Sequence, residues 1–291
     1  MKTLPSRNTR CRFGVATRDA TPPLNIYARW WGAATEDLRR GVHRPLQTAA
    51  AIIAPIADDG DPLVLVTLDN CVIAPADERA MRTALLEAAG LPEANLLLTS
   101  SHSHSSAKLD SSLTDLPGSE LIRPYLDHLV HAMTDAIQEA RSELAPAWIT
   151  WGAGQCNLAR HRDFWDEDAQ QFVTGFDPDT AADDTLLVGR VTGDDGATQA
   201  VLFNYACHPT TLAWENDQFS PDYIGAAREI ISSIHGAPAL FVQGASGELG
   251  PREGFVGDTA VADRNGRQLG YAVASTLESL QPAASQFVYQ G

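Results

Sequence analysis

The sequence predicts an α/β protein of the mixed α+β kind, with mixed β-sheets flanked by helices. Three observations carry that expectation. Apolar runs of strand length recur along the chain, helical patterns lie between some of them, and Gly/Asp-rich turns too short for a crossover join others. The strand-like runs are Ala49–Ile56, Leu63–Leu68, Asn95–Thr99, Trp148–Gly152, Thr185–Val191, Ala200–Ala206 and Ala239–Gln243. Asp77–Ala89 begins with acidic residues and ends at Gly90-Leu91-Pro92, which punctuates a helix at both ends. Tyr125–Glu143, Tyr223–Ile234 and Arg264–Leu277 read as further helices. "DDGDP" (58–62) and "TGDDGAT" (192–198) read as hairpin turns, because Gly and Asp tolerate the dihedrals such turns need. The sheet is therefore expected to be mixed. Residues 153–184 read as a long polar loop, and no internal repeat stands out, so the expectation is one continuous domain over residues 1–291.

Composition narrows the partners. The 291 residues carry a formal net charge of −16, which argues against a nucleic-acid partner because phosphate binding needs a basic face. Four scattered cysteines form no C-x-x-C pair and fit a reducing, cytoplasmic setting. The N-terminus lacks the apolar stretch of a secretory signal, and no run approaches the roughly 18 apolar residues of a transmembrane helix.

The polar residues able to carry chemistry cluster at the ends of strand-like runs. Asp69-Asn70 follows "PLVLVTL", His102 and His104 follow "NLLLTSS", His208 follows "AVLFNYAC", and Glu248 follows "ALFVQGASG". In α/β sheets, crevices form at such strand ends. In extended backbone, His102 and His104 would point to the same face and approach one centre. Zinc takes about four N, O or S ligands, and a hydrolytic site keeps one position for water. The flanking serines (Ser100, Ser101, Ser103, Ser105 and Ser106) fit a solvated loop equally well. Asp222 has an ordinary alternative as the N-cap of the helix beginning at Tyr223. "GASGE" at 244–248 partly matches a G-x-S-x-G nucleophile elbow, but its fifth residue is Glu248.

Taken in order, several segments resemble the neutral/alkaline non-lysosomal ceramidase family. They are "FGVATRDATPPL" (13–24), which reads as an opening strand and turn, "GVHRPLQTAAAII" (41–53), "VTLDNCVI" (66–73), "LLLTSSHSHSSA" (96–107), "NYACHPTTL" (204–212), "FSPDYIGAA" (219–227) and "FVQGASGELGP" (241–251). The resemblance implies that His102 and His208 are zinc ligands and that His104 is a second active-site imidazole. It also implies that Arg160, in "CNLARHR", contacts the scissile carbonyl. Two departures stand out. Gly250 occupies the place of a serine that the family uses in catalysis, and the family's remaining Glu and Tyr ligands lie further downstream than Gly291. Asp69, Asp222 and Glu248 are the local substitutes for those ligands.

The expectation is therefore a zinc-dependent hydrolase that uses a metal-activated water on an amide or related C–N bond of a small soluble substrate. Its metal set is His102, His208 and Asp69, and its catalytic set is His104, Arg160 and Glu248. The expected partner is the small-molecule amide, with homo-oligomerisation left open. A catalytically silent binding homologue and a serine hydrolase using Ser246 are the alternatives. Arg160 and Arg162 can instead pair with the acidic run Asp163, Asp166, Glu167 and Asp168. Trp30, Trp31 and Trp214 read as core or rim packing, or as the lining of an apolar channel.

Overall fold

The computed structural model describes residues 2–3, 8–57, 60–285 and 288–289. Eight strands build one mixed sheet: β1 (Asn8–Asp19), β2 (Gln47–Ala54), β3 (Leu63–Leu68), β4 (Leu96–Ser100), β5 (Ala145–Gln155), β6 (Thr185–Gly193), β7 (Thr198–Tyr205) and β8 (Ala239–Gln243). Four helices accompany them: α1 (Pro75–Ala89), α2 (Ile122–Ser142), α3 (Tyr223–His235) and α4 (Thr259–Glu278). The strand order is β8-β7-β6-β5-β1-β2-β3-β4. Only the two outer pairs, β3 with β4 and β7 with β8, are parallel. The predicted strands and helices are all present, with ends moved by a few residues, and the 153–184 stretch also contains a small hairpin, Asp163–Asp166 with Gln171–Thr174.

The topology repeats. An antiparallel three-strand meander is followed by a helix, a parallel strand and a second helix, once through β1 to α2 and again through β5 to α4. β1 and β5 join the two halves antiparallel, from Asn8 opposite Thr150 to Phe13 opposite Ala145. The repeat is invisible in the sequence because it is a repeat of element order, with unrelated residues in the matching places.

Strand alternation places the cores. On β2, Ala50 and Ile52 face α1 and α2, while Ala49, Ala51 and Ile53 face the other way. On β7, Val201, Phe203 and Tyr205 face α3 and α4, while Ala200 and Leu202 turn towards Ala49, Ala51 and Leu240. The sheet thus folds over on itself, and β8 touches both β3 and β4. A layer of small and branched residues lies between the half-sheets, and a helix pair covers each outer face. α2 packs on β1 and β2, and α4 packs on the matching strands β5 and β6. At Gly14, a Cβ would stand 1.8 Å from the Ala140 carbonyl oxygen, so glycine is what lets α2 lie this close to β1.

Both crossover helices end on a left-handed glycine, Gly90 (φ 62°) and Gly236 (φ 66°), which frees the last carbonyls for capping bonds. Their starts differ. α1 opens with Pro75 and has no side-chain cap, whereas α3 is capped by the fully buried carboxylate of Asp222. This folding-over is what brings the C-terminal ends of β3, β4, β7 and β8 together.

Candidate metal centre

His102 and His104 leave the end of β4 on a tight turn. His102 adopts φ 67°, a left-handed conformation that costs a non-glycine residue about 1–2 kcal/mol. The surrounding polar contacts hold it there. His102 N–H donates to Asn70 O at 2.7 Å, and its Nδ1 lies 3.1 Å from Cys71 O. Two of the neighbouring serines prove to be buried fasteners: Ser103 Oγ donates to Ser220 O at 2.7 Å and Ser106 Oγ donates to Ser103 O at 2.9 Å. The predicted same-face geometry of an extended H-x-H therefore gives way to a turn, yet both rings still reach one place.

His208, at the end of β7, completes a triangle. Its ring centroid is 4.5 Å from that of His102 and 5.1 Å from that of His104, and His102 and His104 are 5.2 Å apart. His104 Nε2 and His208 Nε2 face each other at 3.1 Å. Two nitrogens held at zinc–nitrogen distance around a tetrahedral ion are about 3.3 Å apart, so this spacing fits a shared divalent ion. The hydrogen bonds orient the rings. His102 Nδ1–H goes to Cys71 O at 3.1 Å, which leaves its Nε2 lone pair free for a ligand, while His208 Nδ1 sits 3.1 Å from both Ser246 O and the Arg162 Nη2 donor, with its Nε2 turned to His104. His104 Nδ1 is buried without a hydrogen-bond partner among the described residues. Cys71 Sγ lies 3.9 Å from His102 Nδ1, and Cys71, His102 and His104 each offer one ligand atom within 4.8 Å of the others.

Burial keeps these rings neutral. Desolvation, reinforced by His208, His102, Arg162 and Lys108, pushes His104 down to about 3. Desolvation, with Arg162 and His102 adding to it, pushes His208 down to about 4. His102 is also lowered, chiefly by burial. Neutral imidazoles need lose no proton before they bind a cation.

The rings open into a cavity of about 590 Å³. Arg162, Thr174 and Thr210 supply its other polar lining, and Trp31, Trp214 and Phe255 form its apolar side. Arg162 donates to Gly247 O through Nε (2.9 Å) and Nη2 (2.7 Å), and that Nη2 is 3.1 Å from His208 Nδ1.

The other expected site residues lie elsewhere. Asp69 is not at the imidazoles: both of its oxygens are held by Arg228 of α3, with Nη1 3.0 Å from Oδ1, and Oδ2 also accepts from Gln47 N at 2.9 Å. The strand after Asp69 turns, so that Cys71, two residues on, faces the rings instead. Arg160 turns its guanidinium back to the carbonyls of Asn157 and Ala159, at 2.7 Å each, and it is Arg162 that reaches the cavity. Neither arginine forms an ion pair with the acidic run among the described residues. Glu248 is exposed, and its backbone carbonyl accepts from Arg162 N at 2.8 Å. Asp222 is the helix cap, bonding Tyr223 N and Leu212 N. Ser246 Oγ accepts from Gln243 Nε2 at 2.7 Å, and no imidazole bonds it among the described residues. Thr174 and Phe255 had no motif to announce them, and Thr210, though inside "NYACHPTTL", was not singled out; loop geometry brings all three to the cavity.

The fold is one found in solved ceramidases. A crystal structure of neutral ceramidase from Pseudomonas aeruginosa superposes with a TM-score of 0.73 at 20% identity, covering 99% of this chain and 47% of that one. A ceramidase complexed with C2 gives 0.74 at 19% identity, covering 98% and 46%. The chain thus spans about half the length of these structures. Residues 12–243 match the family described as neutral/alkaline non-lysosomal ceramidase, N-terminal, and the chain belongs to that family. No helix among the described residues is long and apolar enough to cross a membrane.

Proposed function

We propose that this protein is a zinc-dependent hydrolase that cleaves an amide or related C–N bond of a small soluble substrate with a metal-activated water. The observation that carries the reading is the convergence of three neutral imidazoles, from two different half-sheets, with two Nε2 atoms 3.1 Å apart. His102, His104 and His208 would hold the ion, and the nearby Cys71 thiol is a further donor. Zinc at such a site supplies Lewis acidity for a carbonyl and a lowered pKa for water.

The chain's own groups do the rest. The carbonyls of Cys71 and Ser246 hold the orientations of the His102 and His208 rings. Arg162, anchored on Gly247 O, presents a positive N–H edge to a substrate oxygen beside His208. Trp31, Trp214 and Phe255 keep water from one side of the cavity and take up the apolar part of the substrate. The four cysteines, all free and buried, support a reducing, cytoplasmic setting.

Metal analysis of the purified protein tests the proposal, together with hydrolysis assays on a panel of soluble amides. About one zinc per chain is expected, with hydrolysis that a chelator abolishes and His102→Ala that loses both. Absence of bound metal, with His102→Ala behaving like the native chain, overturns it.

A further inference from the structure

The cavity has two unlike walls joined by the histidines. Contacts run from Trp31 to His104 (4.9 Å between rings), from His104 to His208 (3.1 Å), and from His208 to Arg162 (3.1 Å). Trp31 is itself packed edge-on against Trp214 at 5.9 Å and Phe255 at 6.0 Å. A bond lying over the imidazoles therefore has an aromatic surface at one end and a guanidinium at the other.

The guanidinium end is more basic than one residue suggests. A second recess of about 290 Å³ shares Arg162 and Phe255 with the histidine cavity and adds Arg160 and Arg252. Among the described residues no Asp or Glu lines either space, although the chain as a whole carries a net charge of −16 and Asp163 and Glu248 lie near enough to act on Arg162. Arg162 makes no carboxylate ion pair, and its Nη1 is unbonded among the described residues. Gly250 stands where the two spaces meet. A Cβ there would lie 3.4 Å from Arg162 Cδ and 3.8 Å from Thr210 Oγ1, both residues of the histidine cavity.

We propose that the substrate amide carries a carboxylate: an N-acyl amino acid whose apolar acyl group rests on Trp31, Trp214 and Phe255 and whose carboxylate pairs with Arg162. Arg160 and Arg252 add to the attracting field. Nη1, the guanidinium nitrogen that Gly247 O and His208 leave free, donates to the carboxylate in a charge-assisted hydrogen bond that a partly buried site strengthens. Hydrolysis breaks the acyl C–N bond, forms a C–O bond from water, and places a water proton on the departing amine, giving a carboxylic acid and a free amino acid. This assignment rests on the hydrolase reading above.

The test compares N-benzoylglycine with its uncharged counterpart N-benzoylglycinamide. Tryptophan fluorescence of the metal-depleted chain reads binding, and benzoate release by the zinc-loaded chain reads turnover. N-Benzoylglycine is expected to bind at least about 10-fold more tightly, an advantage that salt weakens. Arg162→Gln should remove that advantage and Arg162→Lys restore part of it. Should Arg162→Gln fail to fold, the exposed Arg252→Gln carries the test, with an expected loss of about 2-fold to 3-fold in affinity for the anion alone. Equal binding of the two compounds, or turnover of both at equal KM, overturns the carboxylate assignment and leaves the hydrolase reading standing. Preferential binding of N-benzoylglycine with no hydrolysis of any amide overturns the hydrolase reading and leaves the anion site standing.

Discussion

Two halves of one sheet reach the same cavity by the same succession of elements and bring different chemistry to it. After β3 the first half presents Cys71, whereas after β7 the second presents His208. After β4 come His102 and His104, and after β8 come the carbonyls of Ser246 and Gly247, which hold His208 and Arg162. The long connections after the leading strands differ in the same way. That after β1 supplies Trp31, and that after β5 supplies Arg162 and Thr174. The first half thus brings two of the three imidazoles and Trp31, while the second brings one imidazole, the carbonyls that orient it, the positive charge and the other two aromatics, Trp214 and Phe255. A repeated scaffold need repeat only its element order; the residues at its strand ends are free to specialise.

The largest expected effect comes from the bond that locks the halves together. Asp69 is 2% exposed and pairs with Arg228 across the fold. Asp69→Ala would strand a partly buried guanidinium and leave Gln47 N without its acceptor, and should destabilise the chain by about 3 kcal/mol. Urea unfolding measures it, and Asp69→Ala combined with Arg228→Ala should cost less than the sum of the single changes. Metal content of any folded Asp69→Ala protein should be unchanged. Loss of metal with stability preserved would return Asp69 to the metal shell and break the division of labour drawn here.

Next in size are the histidines. His102→Ala and His208→Ala, one from each half, should each weaken zinc binding by at least about 100-fold, as competition with a chromophoric chelator reads it. Comparable losses would show that both halves are needed for one site. A loss confined to His102→Ala would mean that Cys71, His102 and His104 of the first half suffice.

Much of this was legible in the sequence, and the remainder was hidden for identifiable reasons. The apolar runs and helix punctuation announced the strands and helices, and the H-x-H pair with His208 announced the imidazoles. Asp69 and Glu248 stood at equally good strand ends. A strand end, however, says where a residue sits and not which way its side chain turns, and Asp69 turns to Arg228 while Glu248 turns to solvent. Arg160 and Arg162 shared one short segment, and only the loop's path decides that Arg162 faces the cavity. The folded-over sheet itself depends on alanines at 49, 51, 147 and 200, whose small size permits the close approach without advertising it.

A smaller effect tests the packing of the second half alone. At Gly266 on α4, a Cβ would stand 2.2 Å from Tyr223 O of α3, so Gly266→Ala should force the helices apart. Overpacking of this kind costs about 1–3 kcal/mol. A drop in thermal midpoint with zinc affinity kept is expected, because α3 and α4 lie outside the sheet and carry none of the imidazoles. A concurrent loss of zinc would show that helix spacing sets the strand ends.

The smallest effect is a slope with pH, and it separates the two crossover helices. α1 has no capping carboxylate, whereas α3 is capped by Asp222, which burial pushes up to about 6 against the hydrogen bonds from Leu212, Thr211 and Tyr223. The folded chain then holds a proton that the unfolded chain has lost between about pH 4 and pH 6. Stability from this group is fully present below the unfolded carboxylate range and is lost as pH rises through about 6, at no more than about 1.4 kcal/mol per pH unit. Its titratable neighbours do not obscure the window, since burial raises Cys207 and Tyr223 well above their ordinary ranges and both stay neutral there. Asp222→Asn keeps an acceptor for Tyr223 N and has nothing to titrate, so the difference between native and variant urea midpoints should change over that window and level off above it. A constant difference across pH 4 to 7 would mean that the cap is ionised throughout, its hydrogen bonds outweighing its burial.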